Sequence, residues 1–330
     1  MTTRRARISS LAKINLDLRV LYRRNDGFHE LRTIFQTISL GDVLDIEHEP
    51  GRRFSVELDS DPPIPDNLIV RAARLLHERA RVSGAWRFSL KKRTPMGAGL
   101  GGGSSNAAAA LLSIPVLAGK PAPLGMLAGL AAELGSDVPF FLLGGTAAAI
   151  GRGTELYPLP DIPPVCGILV TPGIHVSTPE AYRSLARPAV EELTSGGASS
   201  ILNSFQSLAW RAEECAKSPE WAARNDFEGA VFRKYPKLRQ IRDALRASGA
   251  HPALMSGSGS SIFGLFPARN RREAALREFR KRLGEEQVHA ITFVSRSGYR
   301  SLWRRQLKQH IQPRRETRSL TWPPQSRYSR

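Results

Sequence analysis

Apolar and polar residues alternate near the start of the chain: Ala12, Ile14, Leu16 and Leu18 fall on one side, Lys13, Asn15 and Asp17 on the other. A period of two marks a strand with one buried face, so Lys13 and Asn15 project together from the opposite face. Residues 34–40 and 43–47 read as two more short strands, and the turn-type pair Gly41-Asp42 between them predicts a hairpin. The period then lengthens. Leu68, Ala72, Leu75 and Leu76 share one helical face behind Asp66-Asn67, which predicts a capped helix to about residue 81, with Gly84 closing the segment.

Trp86, Phe88 and Leu90 alternate again, so a glycine-rich run at 95–105 is entered from a strand and left through the helix-forming residues 107–112. A helix over 124–134 stops at Gly135, and Asp137 stands where a new apolar element, 138–143, begins. The proline-rich stretch 158–164 is the internal linker. Beyond it come a strand at 167–171, a helix starting at 179–185, a loop at 195–200 and a helix over 228–247 broken near Pro236. A second small-residue run, 255–261, leads into apolar 262–266, then a charged helix at 272–283 and a strand at 290–294. Strands and helices alternate without a steady βαβ rhythm, which predicts α+β character in both halves. The expected division is a domain over 1–160, a second over 161–307, and a tail over 308–330.

Composition narrows the partners. The 330 residues are 41% hydrophobic and 24% charged, with no apolar stretch near the roughly 18 residues of a membrane span, and the lysine at 13 interrupts any secretory core. With Cys166 and Cys215 as the two cysteines, a reducing cytoplasmic setting is expected and a four-thiolate zinc site is excluded. No pattern sets an oligomeric state. The +18 formal charge points to an anionic partner, either nucleic acid or phosphorylated small molecules. Residues 296–330 hold ten Lys or Arg against Glu316 alone, a net +9 and half of that total. Trp303, Trp322 and Tyr328 among these arginines would suit a single strand, but the Pro and Ser content of 308–330 predicts disorder rather than a shaped face. Nucleic acid is therefore disfavoured.

The run Pro95-Met96-Gly97-Ala98-Gly99-Leu100-Gly101-Gly102-Gly103-Ser104-Ser105 carries the candidate chemistry. Its five glycines let backbone N–H groups converge on an anion, phosphate above all, and Ser104 or Ser105 can cap the helix whose positive end would face it. A plain flexible turn is the competing reading; the entering strand, the leaving helix and Lys91, Lys92 and Arg93 just upstream weigh against it. No acid lies between Asn106 and Ala132 to hold a ribose, and no Gly-Lys-Ser/Thr ending follows, so neither a Rossmann nor a Walker site fits.

The run resembles the phosphate loop of the galactokinase, homoserine kinase, mevalonate kinase and phosphomevalonate kinase (GHMP) superfamily. Its Gly-Gly-Gly-Ser-Ser-Asn is most similar to the branch acting on 4-diphosphocytidyl-2-C-methyl-D-erythritol. Ala12-Lys13-Ile14-Asn15-Leu16, Asp26-Gly27-Phe28-His29-Glu30-Leu31, Leu134-Gly135-Ser136-Asp137-Val138-Pro139-Phe140-Phe141 and Ser256-Gly257-Ser258-Gly259-Ser260-Ser261 match in order, and the resemblance runs from about residue 9 to 307. It implies a two-domain α+β small-molecule kinase with its site in the cleft between domains. The implied reaction moves phosphate from ATP to the 2-hydroxyl of that alcohol, in non-mevalonate isoprenoid synthesis.

The resemblance also implies roles. Asp137 is the base and Lys13 keeps it ionised; Asn15, Phe28 and His29 take the substrate, the aromatic pair near its cytosine; Thr178 lies near its diphosphate. Phe28 stands where the family usually has tyrosine, which keeps the ring and drops a hydroxyl. Mg²⁺ follows from ATP chemistry, with Ser105 the one guess at a ligand. The bland alternatives are a helix cap for Asp137, a solvated lysine for Lys13, core packing for Phe28 and an N-cap for Thr178 before Pro179. For 256–261 closure of the cleft is expected, with binding secondary.

Overall fold

The computed structural model describes residues 2–185, 187, 223–312 and 322–329, so the expected loop at 195–200 and Cys215 lie outside the described residues. The alternation at 12–18 extends both ways into β1 (Arg4–Arg23), which pairs antiparallel with β2 (His29–Glu49). The far edge of β2 is shared. Residues 43–49 pair with β4 (Gly84–Lys91), which takes β3 (Phe54–Asp61) in parallel, and residues 31–36 pair with β5 (Thr146–Gly151), followed by β6 (Glu155–Pro158). A second, antiparallel sheet runs β10 (Val288–Thr292), β7 (Cys166–Val170), β9 (Ile262–Phe266), β8 (Ala253–Met255). Ala12, Ile14 and Leu16 pack against Leu169, Phe263, Leu265 and Ile291 of this sheet, so β1 is buried on both faces.

The expected hairpin at Gly41-Asp42 is absent, because β2 runs straight through the pair. A Cβ on Gly41 would lie 2.6 Å from the carbonyl oxygen of Ser10, so the glycine permits close approach of β1 at its bulge rather than a turn. Asp42 is buried and accepts the backbone N–H groups of Arg93 (2.8 Å) and Thr94 (2.7 Å) and the ammonium of Lys92. A turn-type pair in the sequence is here a strand that anchors a distant loop.

Helices α1 (Leu68–Ala80), α2 (Gly102–Ala118), α3 (Leu124–Leu134) and α4 (Val138–Leu143) cover the first sheet. Asn67 caps α1, its side chain accepting the Ile69 N–H at 2.9 Å, an interaction worth about 1 kcal/mol. That helix ends on Arg81 in the left-handed region, and Gly84 opens β4 instead of closing the helix. α2 is buried around its whole circumference because its alanines let neighbouring elements come close. The second half contributes α5 (Thr178–Arg183), α6 (Glu228–Lys234), α7 (Pro236–Ala247) and α8 (Arg269–Leu283); the break expected near Pro236 separates α6 from α7.

The chain then returns to the first half. α9 (Arg296–Gln306) puts Tyr299 and Trp303 into the core beneath α2 and α4. The disorder expected over 308–330 does not describe the part of the tail that is placed. The Trp322 indole donates to the Leu142 carbonyl at 2.8 Å, the Ser326 hydroxyl to the Val116 carbonyl at 2.6 Å, and the Arg4 guanidinium lies 3.7 Å from the Tyr328 ring centre. Average composition hid a few groups able to dock on orphaned helix carbonyls.

Candidate active site

A cleft of about 1000 Å³ opens between the two halves. It is lined by Lys13, Asn15, Gly99, Gly101 and Asp137, by Thr178, Tyr182 and Gly257, and by Phe28 and His29. Its floor is tied where β1 meets residues 224–226. Leu18 N–H donates to Arg224 O (2.8 Å), Asp226 N–H to Leu18 O (3.0 Å), and Arg224 N–H to the Asp17 carboxylate (3.0 Å). Burial pushes the Asp17 carboxyl up from its ordinary value, with Arg19 at 2.9 Å pulling the other way.

Lys13 and Asn15 do leave β1 from one face. The Lys13 ammonium donates to Asn15 Oδ1 at 2.8 Å and lies 3.3 Å from Asp137 Oδ2. The Asn15 amide donates to Thr33 Oγ1 (2.7 Å), which donates to Asp17 O (2.7 Å), so the amide's orientation is set. With its side chain 4% exposed, Lys13 is no solvated strand lysine. Asp137 sits at the N-cap of α4, yet its side chain makes no capping bond, which leaves the carboxylate to the cleft and removes the cap alternative.

In the glycine run, Gly97, Gly99 and Gly101 hold φ of +64°, +77° and +66°. A Cβ on Gly99 would fall 2.2 Å from Ser256 O, and one on Gly101 2.9 Å from the Phe141 ring. Neither serine caps the helix: α2 starts at Gly102 with Gly101 as N-cap, and the Ser105 hydroxyl turns inward to Leu11 O at 2.7 Å. The first-turn N–H groups thus have no intrahelical partner at the positive end of the helix, the end at which anions are favoured. Ala98 and Leu100 are buried beneath this cradle, while Pro95 is half-buried and Met96 exposed at its mouth.

The second small-residue run closes on the first. Ser256 Oγ donates to Gly99 O (3.0 Å) and accepts the Asn15 N–H (3.3 Å), and the Ser261 N–H donates to Ala98 O (3.3 Å). Ser258 Oγ lies 2.8 Å from Thr178 Oγ1. Thr178 opens α5 behind Ser177, so it is not the cap, and it faces the cleft.

At the far end Phe28 is 48% exposed, which rules out core packing, and the Arg152 guanidinium lies 3.4 Å over its ring. His29 stacks on Tyr182 at 4.9 Å; burial first, then the charges of Arg23 and Arg187, hold its pKa below the ordinary value, so the ring is neutral at pH 7. Burial and the nearby Asp137 charge push the Tyr182 phenol up, keeping it protonated. Sequence reasoning missed Tyr182, Arg152, Arg23 and Arg183. Only Tyr182 carried a signal, four residues after Thr178 on one helix face.

Among the described residues no group of three His, Cys, Asp or Glu can hold a metal ion, Asp137 is the one carboxylate lining the cleft, and the inward Ser105 hydroxyl does not fit a metal. Among them, too, no helix is long and apolar enough to cross a membrane.

Models of the GHMP kinases N terminal domain and GHMP kinases C terminal match residues 67–145 and 212–285. The 4-diphosphocytidyl-2-C-methyl-D-erythritol kinase of Solibacter usitatus is 53% identical over 328 residues, 99% of either chain, so similarity extends past residue 307 where the motifs stop. That of Thermus thermophilus is 45% identical over 255 residues, 77% of this chain and 85% of the relative. A crystal structure of 4-(cytidine 5'-diphospho)-2C-methyl-D-erythritol kinase matches with TM-score 0.71 at 38% identity, covering 87% of this chain and 98% of that one. Homoserine kinase from Cytophaga hutchinsonii, at 17% identity and TM-score 0.69 over 89% and 96% of the two chains, shares the fold.

Proposed function

Since the chain belongs to the 4-diphosphocytidyl-2-C-methyl-D-erythritol kinases of the GHMP family, we infer that it moves the γ-phosphate of ATP to the 2-hydroxyl of that cytidyl alcohol. The observation that carries this reading is the Lys13–Asp137 pair, 3.3 Å apart in the cleft, between the open amides at the start of α2 and the aromatic end at Phe28 and His29. Phosphoryl transfer asks a protein chiefly for position and charge.

The amides of Gly102 and Gly103 would hold the nucleotide phosphates at the helix end. The Asp137 carboxylate would take the acceptor's hydroxyl proton as the new O–P bond forms and the bond to the ADP oxygen breaks. Lys13, held by Asn15, lies beside that carboxylate and would offset charge on the transferring group. Phe28 offers a face to the cytosine, and the neutral His29 can both donate and accept toward its edge. Thr178 and the arginines lining the cleft with it, Arg183 and Arg187, suit the diphosphate. Mg²⁺ fits only as an ion carried in on the phosphates, where it would neutralise charge, since the cleft gives it no dedicated ligand set.

The test is the purified protein with ATP, Mg²⁺ and three alcohols: the cytidyl substrate, homoserine and mevalonate. A 2-phosphate should form from the first alone. Turnover of homoserine or mevalonate in its place would overturn the assignment.

A further inference from the structure

Two helices begin at the cleft, which is lined by Gly101, the N-cap of α2, and by Asp137, the N-cap of α4. Both are held at their other ends by the last described residues. α4 is six residues long and leaves its final carbonyls without helical partners. Phe141 O takes the buried Tyr299 hydroxyl at 2.6 Å, and Leu142 O takes the Trp322 indole N–H at 2.8 Å. At the end of α2, Val116 O takes the Ser326 hydroxyl at 2.6 Å, and a Cβ on Gly119 would meet Tyr328 at 2.9 Å. The two helices also touch near the cleft, where the Phe141 ring lies against Gly101.

We propose that residues 322–329 form a brace for phosphoryl transfer, in which Trp322 and Ser326 are positioning residues that set α4 against α2 from behind. The proposal rests on the kinase reading above. A short helix with one free end rocks about the other, and rocking of α4 moves Asp137 relative to the phosphate cradle. A misplacement of about 1 Å at a reacting group can cost on the order of a hundredfold in rate. Trp322, which bonds to α4, therefore acts on turnover rather than on nucleotide binding, because the cradle amides belong to α2. Trp322 itself is not among the residues that line the cleft.

The test uses the full chain with Trp322→Ala, Trp322→Phe and Ser326→Ala. For Trp322→Ala, kcat should fall by about tenfold or more while KM for ATP stays within about threefold. Backbone amides of α4 should exchange hydrogen faster. Trp322→Phe, which keeps a ring and loses the N–H, should fall between, and Ser326→Ala should show a smaller kcat loss with faster exchange at the end of α2. If Trp322→Ala does not fold, the other two variants decide. A kcat within twofold of the unsubstituted protein, unchanged α4 exchange, or an equal loss through KM would each overturn the brace. Should the unsubstituted protein leave the cytidyl alcohol untouched, the functional reading falls, and the brace is judged by exchange and by kcat on the alcohol it does phosphorylate.

Discussion

The two glycine-and-serine runs at 97–105 and 256–261 look alike on the page and differ in what their backbone is free to do. In the first, the chain enters α2 with its leading amides unpaired and no side chain turned to them. In the second, part of the backbone is tied up: Ser256 N–H donates to Ser261 O (2.9 Å), Gly259 N–H to Ser256 O (3.0 Å), and Ser256 Oγ reaches Gly99, while the buried Ser261 hydroxyl has no partner. A run of small residues can hold a phosphate only with donors left over, and the more of them its own turn consumes, the more it serves as a wall.

The sharpest way to break this comparison is at the carboxylate beside the first run. Asp137→Asn should lower kcat by about 10²–10⁴-fold with ATP affinity by calorimetry nearly unchanged, since it alters proton transfer and spares the cradle. Next in size, Gly102→Val should weaken ATP binding by roughly tenfold: a Cβ there already meets Thr94 at 2.9 Å and Lys92 at 3.1 Å, and the added methyls cover the amides. Unchanged affinity would show that the first run holds no phosphate. Ser256→Ala should act differently, costing about 1 kcal/mol of stability in urea titration while ATP affinity stays within twofold. A tenfold loss of affinity there would make the second run a phosphate loop as well.

The smallest effect is a pair of opposite pH dependences behind the two runs. His48, against the end of α2 through Leu117 O at 3.3 Å, is buried and its pKa is held below 6.5. A depressed base gives stability that is present above 6.5 and is lost as pH falls through its folded value. Glu228 accepts the Met255 N–H at 2.8 Å beside the second run, and burial raises its pKa above 4.5 despite Arg242. Its contribution is full below 4.5 and is lost as pH rises through the folded value. Melting curves should therefore show His48→Gln flattening the loss of stability on the acid side and Glu228→Gln flattening the loss as pH rises above 4.5, each by less than about 3 °C.

What was legible in the sequence was local. Alternation put Lys13 and Asn15 on one face, Gly135 stopped α3 where expected, and five glycines before an alanine-rich run marked the loop that enters α2. The errors came where a residue answered to a partner far along the chain. Gly41-Asp42 has the chemistry of a turn, and only the packing of Ser10 and the amides of Arg93 and Thr94 make it a strand. Ser105 has the chemistry of a cap, and Leu11 O claims it first. Arg152 and Tyr182 meet Phe28 and His29 across more than a hundred residues, a distance no periodicity spans.

The docking of Trp322 and Ser326 also sets an order in time. They bond to carbonyls 180 and 210 residues earlier in the chain. At about 5–20 residues per second a ribosome needs roughly 10–40 s to cover that span. During synthesis α2 and α4 are therefore made well before their rear partners exist, and these two bonds form late in the order of assembly.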